Sequence, residues 1–170
     1  MFIQTEETPN PSTLKFIPGK NLLEGGTLEF KSQEEAKKNS LAKILFSEEK
    51  VKSVFIGKDF LTVTKSESVE WEILKPTLLS LILDYFSSGG EIETSDLDTN
   101  TSTKEIKYTK KDQEIVNKIN ELLEERIKPA VAQDGGDINF VKLQKGIVFL
   151  ELRGACSGCP SSTITLKSGI

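Results

Sequence analysis

Histidine is absent from this chain of 170 residues. That removes every Ser–His–Asp or Cys–His nucleophile, every imidazole metal ligand and the commonest general base at neutral pH. Cysteine is nearly absent too: the chain has two, Cys156 and Cys159. Two cysteines do not make a disulfide framework, and they fit a reducing compartment. Any transition-metal or redox chemistry therefore falls on that one pair.

Long apolar runs are also missing. The longest, "LLSLILDYF" from Leu78, is interrupted by Asp84 and falls far short of the roughly 20 residues that cross a bilayer. No excess of positive charge exists either. A formal net charge of −4 gives no reason to expect nucleic acid or an anionic membrane as partner. The start, "MFIQTEETPNPSTLKF", has neither the basic opening and apolar core of a secretory signal nor the arginine-rich character of a transit peptide. The expected location is the cytoplasm of a bacterium, or an organelle that has received a mature form without its leader.

What is present reads as α+β: two small α+β domains joined by a flexible polar linker. In the first, residues 1–87, "MFIQTEE" and "STLKFIP" read as strands around the turn "TPNP", and Thr27 to Phe30 as a third short strand. "SQEEAKKNSLAKILFS" predicts one helix with Ser32 and Glu35 as its capping box and Ala36, Leu41, Ile44 and Leu45 inward. "VKSVFIG" and "DFLTVTK" predict a hairpin around Gly57-Lys58. A second helix follows, beginning or bending near Pro76 and ended by Gly89-Gly90. Trp71, Tyr85 and Phe86 read as core. Residues 88–111 are rich in Ser, Thr and Asp and form the linker.

The second domain, residues 112–170, opens with the clearest helical pattern in the chain, with Ile115, Ile119, Leu122, Leu123 and Ile127 at three- and four-residue spacing. Thr109 and Asp112 suit its cap, and Pro129 and Gly135-Gly136 are expected to close it. A hairpin follows, turning at Gln144-Lys145-Gly146, with Val148, Leu150 and Leu152 on one face and Ile147 and Phe149 on the other. "AQDGGD" holds two carboxylates, Asp134 and Asp137. That is too few for a calcium loop, so it reads as a turn that packs near the cysteines and shapes their loop.

The cysteines stand in "RGACSGCPSSTITLKSGI". Gly154 and Gly158 permit backbone conformations closed to other residues. Pro160 is pre-set for a first helical turn, with Ser161 or Ser162 as N-cap. A helix N-terminus beside the thiols favours thiolate. Four readings fit one C-x-x-C: two inert thiols, a dithiol/disulfide oxidoreductase, a zinc-bridged adaptor dimer, or an iron–sulfur cluster site. The last needs four thiolates where the chain has two, and a second chain across a two-fold axis would supply the others.

"KPAVAQDGGDI" with "LELRGACSGCPSSTITLKSGI" resembles the C-terminal domain of the NifU-like (Nfu) iron–sulfur cluster scaffold and carrier proteins. "TEETPNPSTLKFIPG" and "VEWEILKPTLLSLILDYF" resemble the Nfu N-terminal domain. The resemblance implies a carrier rather than an enzyme. Its [4Fe-4S] cluster would be shared by two subunits, with Cys156 and Cys159 of each as ligands. Its partners would be a second copy, apo iron–sulfur client proteins and upstream cluster assembly proteins, with no nucleic acid and no membrane. The N-terminal domain would serve partner contacts rather than cluster chemistry. Members of the family continue beyond "LKSGI" with more helix and a final strand. The resemblance thus implies a cluster domain shortened at Ile170, with dimerisation correspondingly weakened.

Overall fold

The computed structural model describes residues 2–94 and 107–155. The chain forms, in order, β1 (Gln4–Glu7), β2 (Thr13–Ile17), β3 (Leu28–Phe30), α1 (Gln33–Ala36), α2 (Ser40–Leu45), β4 (Val51–Ile56), β5 (Leu61–Lys65) and α3 (Trp71–Ser87). After the undescribed stretch come α4 (Lys110–Leu122), a wide π-helical turn (Leu123–Ile127), α5 (Lys128–Gln133), β6 (Gly136–Gln144) and β7 (Ile147–Gly154). The α+β class follows directly. Among the described residues, no helix is long and apolar enough to cross a membrane.

The first seven strands and helices and α3 build one antiparallel sheet, ordered β1-β2-β5-β4-β3, with helices on one side. Strand alternation decides which side. Register pairs Leu14 with Val63, Phe16 with Leu61, Val54 with Val63, Ile56 with Leu61, and Leu28 with Ile56. All of these residues are buried in one cluster, under Leu41 and Leu45 of α2 and Leu74, Leu78, Ile82, Tyr85 and Phe86 of α3. On α3 those five recur every three or four residues, so one stripe meets the sheet.

The single helix expected over residues 32–47 is two. Ser32 caps α1, accepting from the Glu35 amide, as anticipated, but the helix stops at Ala36. Asn39 opens α2 by accepting from the Ala42 amide at 3.0 Å, and its side-chain amide donates to the Glu93 carbonyl. An Asn at this position supplies a fresh N-cap, which competes with helix continuation. The helix expected near Pro76 starts five residues earlier, at Trp71. Pro76 removes only the bond to the carbonyl of exposed Glu72, which faces water. The end at Gly89-Gly90 stands: Gly89 has φ +83° and the Gly90 amide donates back to the Tyr85 carbonyl.

Residues 89–93, assigned from composition to the linker, lie against the N-terminal domain. The Tyr85 hydroxyl donates to the Glu91 carbonyl, Ile92 packs on the core, and the Glu93 carboxylate accepts from the Ser40 amide at 2.7 Å. The Ser40 hydroxyl, which also donates to this carboxylate, and then the Ser40 amide hold the Glu93 carboxyl below its ordinary pKa. Residues 95–106 lie outside the described residues.

In the C-terminal domain Thr109 caps α4, accepting from the Asp112 amide and donating to its carboxylate. Pro129 does not close the helix; the backbone widens into the π turn Leu123–Ile127 and continues to Gln133. An extra residue in the turn relieves the clash of the proline ring with the carbonyl four residues back. The widening also rotates the buried stripe. Val116, Leu123, Ile127 and Val131 face inward, while Ile115 and Leu122, expected in the core, are 45% and 42% exposed. β6 and β7 form a two-stranded ribbon whose turn, Lys145-Gly146, has φ +51° and +75°, the geometry that matches strand twist in two-residue hairpins. Leu150 and Leu152 pack on the helices as anticipated, whereas Val148, expected with them, is 37% exposed near the ribbon tip.

Candidate functional site: the stem of the cysteine loop

Cys156 and Cys159 lie outside the described residues, as do Gly158, Pro160 and the helix anticipated after them. The structure describes the stem from which they spring. β7 runs to Gly154, where φ is +67°, and Ala155, one residue before Cys156, is 2% exposed. The Ala155 amide donates to the Gly135 carbonyl at 3.2 Å. Gly135 itself has φ +78° and sits in the "AQDGGD" turn. The register Gly136↔Gly154 and Asp137↔Arg153 sets this turn beside the stem that leads into the loop.

Charge around the stem is paired. Arg153, 7% exposed, donates from Nε and Nη2 to the Glu151 carboxylate at 3.2 and 3.1 Å. Asp137 has its carboxyl pushed above the ordinary range, chiefly because it is half-buried. The Ile138 amide, Lys128, the Thr27 hydroxyl and Arg153 favour its charged form and oppose the shift.

Sequence reasoning missed that the N-terminal domain reaches this stem. The Gly154 amide donates to Glu29 Oε1 at 3.2 Å, and the Thr27 hydroxyl donates to Asp137 Oδ2 at 3.4 Å. Glu29 Oε2 is held by Lys31 Nζ at 3.2 Å. One signal was available: Phe55 is an aromatic on the sheet face otherwise occupied by Lys15, Ser53, Thr62 and Thr64.

A cleft of about 690 Å³ lies elsewhere, between the "TPNP" turn and Trp71, whose indole N–H donates to the Pro11 carbonyl at 2.9 Å. Among the described residues, its lining holds no soft ligand. Among the described residues no group of three or more acidic, cysteine or histidine side chains could hold a metal ion. The sequence holds two thiols, Cys156 and Cys159, both outside the described residues.

A helix-backed five-stranded sheet, followed by a helix–ribbon unit ending in the only two thiols, defines a two-domain α+β protein with a single soft-ligand site. Residues 3–89 match the family described as scaffold protein Nfu/NifU N terminal, and residues 119–170 match the NifU-like domain. The human protein named NFU1 iron-sulfur cluster scaffold homolog, mitochondrial, is 48% identical over 171 residues, covering 100% of this chain and 65% of that protein. The Arabidopsis thaliana NifU-like protein 5, mitochondrial, is 49% identical over 173 residues, covering 100% of this chain and 62% of that one. The solution NMR structure of a NifU-like protein from Saccharomyces cerevisiae is 27% identical and covers 56% of this chain and 87% of that one, with a TM-score of 0.51. This chain belongs to the Nfu/NifU family of scaffold proteins. It spans less than two thirds of the length of the curated relatives it matches.

Proposed function

We propose that this protein carries an iron–sulfur cluster as cargo. Two copies hold a [4Fe-4S] cluster between them through Cys156 and Cys159 of each, and pass it to apo-proteins. One observation carries the reading: the only thiols in a histidine-free chain form one C-x-x-C, inside the span that matches the NifU-like domain. Four thiolates complete the ligand set, and two chains provide them.

Transfer is ligand exchange. An acceptor thiolate forms a bond to iron as a carrier cysteine leaves, the departing thiolate takes up a proton, and no electron moves. The NifU-like part from Thr109 onward acts as the cluster domain, and the stretch between Glu93 and Thr109 as the joint. Residues 1–87, with neither cysteine nor histidine, serve contacts with recipients and upstream assembly proteins. No catalytic turnover belongs to this role. The relatives' names support an organellar site of action over the cytoplasm.

Anaerobic reconstitution with iron and sulfide, followed by metal analysis and sizing, tests the proposal. The expected product is a brown dimer with one [4Fe-4S] cluster per two chains. Cys156→Ala or Cys159→Ala should each abolish it, while Ser157→Ala should retain it. A colourless monomer whose thiols cycle with a dithiol reductant would instead identify an oxidoreductase. A dimer that keeps zinc and refuses iron would identify an adaptor.

A further inference from the structure

The helices of the N-terminal domain cover one side of its sheet. Across the other side runs a cross-strand row, one residue from each strand: Glu6, Lys15, Thr62, Phe55 and Glu29. Four of the five are charged or polar, which is the composition of a solvated face. Yet Thr62 is 1% and Phe55 2% exposed, and Phe55 belongs to neither hydrophobic core.

Phe60 of the same domain packs beside Phe55, ring centroids 6.0 Å apart, and backbone from the C-terminal domain lies over both Phe55 and Thr62. A Cβ placed on Gly135 would stand 2.9 Å from Thr62 Cγ2 and 3.2 Å from Thr8 Cγ2, whereas Ala155 Cβ, in its own domain, would be 3.6 Å away. A Cβ on Gly154 would stand 3.0 Å from Phe55 Cγ. Bare backbone is thus pressed onto the sheet, and the Gly154–Glu29 and Thr27–Asp137 hydrogen bonds flank the contact.

We infer that the outer face of the N-terminal sheet is a seat for residues 135–137 and 153–155 of the same chain, and that seating them restrains the stem of the cysteine loop and slows the reactions of the thiol pair. The two surfaces are tethered, so each meets the other at an effective concentration on the order of millimolar. A contact of this size then forms within a chain before it forms between chains. Glu29 acts as a positioning residue, holding the Gly154 amide two residues before Cys156. The consequence for cluster exchange rests on the carrier reading above. The test is made on iron-free, reduced protein, so its failure and that of the carrier reading are separate results.

Two variants of the whole 170-residue chain break the seat. Thr62→Arg places a long cation at its centre and leaves Leu61 and Val63, on the helix side, in place. Glu29→Ala, at the edge strand, removes the acceptor of the Gly154 amide. Amide exchange at Gly154 and alkylation of Cys156 by iodoacetamide should both quicken about tenfold or more, as expected when a local closed state is lost, with β2 and β5 amides still protected. Unchanged rates in a folded variant would overturn the inference. So would protection at Gly154 that grows with protein concentration, which would put the seat between two copies. If Thr62→Arg deprotects β2 and β5, Glu29→Ala decides alone.

Discussion

Ile138 is completely buried and clusters with Leu123, Ile127 and Val131 in the C-terminal core. Alanine there keeps only Cβ. Large-to-small changes of this kind cost about 2–5 kcal/mol, least where neighbours can close in. Phe140, Leu150 and Leu152 are half-buried around the site and can move, so the lower end applies, about 2–3 kcal/mol. Folded domains hold roughly 0.05–0.15 kcal/mol per residue. For a domain with about 50 described residues that amounts to roughly 2.5–7 kcal/mol. Ile138→Ala should therefore remove from about a third to all of this domain's stability and leave the side chains of the larger N-terminal core in place.

Denaturant titration with two probes reads this out. Trp71 is the only tryptophan, and it sits in α3 of the N-terminal domain, so its emission follows that domain. Far-ultraviolet ellipticity follows both. The variant should lose helical signal at lower denaturant, while the Trp71 midpoint and slope stay put. A Trp71 transition that falls together with the ellipticity would show one cooperative unit. It would refute the claim that each core stands on its own side chains. A loss below about 1 kcal/mol would equally refute the picture of a packed core at Ile138.

Other outcomes follow from single residues. Asn39→Ala removes a buried cap that accepts from the Ala42 amide and donates to the Glu93 carbonyl, and should cost the N-terminal domain about 1–2 kcal/mol, measured by the Trp71 midpoint. Asp137 has its folded pKa raised above the ordinary 3.8. The folded state thus holds its proton at pH values where the unfolded chain has released it. Stability is then lost as pH rises from about 3.8 through the folded value. Asp137→Asn should therefore be the more stable protein at pH 7 and converge with the parent in acid, checked by denaturant midpoints across pH. Equal midpoints at pH 7 would mean that the carboxylate is not desolvated.

Elements governed by their own residues were legible in the sequence. β4 and β5 around Gly57-Lys58, the Ser32 and Thr109 caps and the Lys145-Gly146 turn each have their cause within a few positions. What escaped depended on distant partners or on backbone relief. Nothing local says that Pro129 will be absorbed by a π turn, and that turn decides whether Val116 or Ile115 faces the core. Trp71 begins α3 ahead of Pro76 because the bond the proline deletes lies on the wet side. The spacing alone displays the two thiols as one C-x-x-C, and what they ligate is the subject of the proposal. The N-terminal domain's hold on the stem was not, because Glu29 and Gly154 are 125 residues apart.

A two-stranded ribbon is marginal in water by itself. β6 and β7 gain stability on one face, where Ile138, Leu150 and Leu152 meet the helices. That packing ends before the cysteines. Among the described residues, the Ala155 amide there donates to the Gly135 carbonyl and the Gly154 amide to Glu29. Only the first of these comes from its own domain. The restraint on the start of the thiol loop is thus divided between a turn that must be glycine, for its positive φ and because a Cβ there would stand 2.9 Å from Thr62 Cγ2, and a carboxylate in another domain. A domain with no thiol or imidazole therefore bears on the cysteine pair mechanically, through the position of one backbone amide.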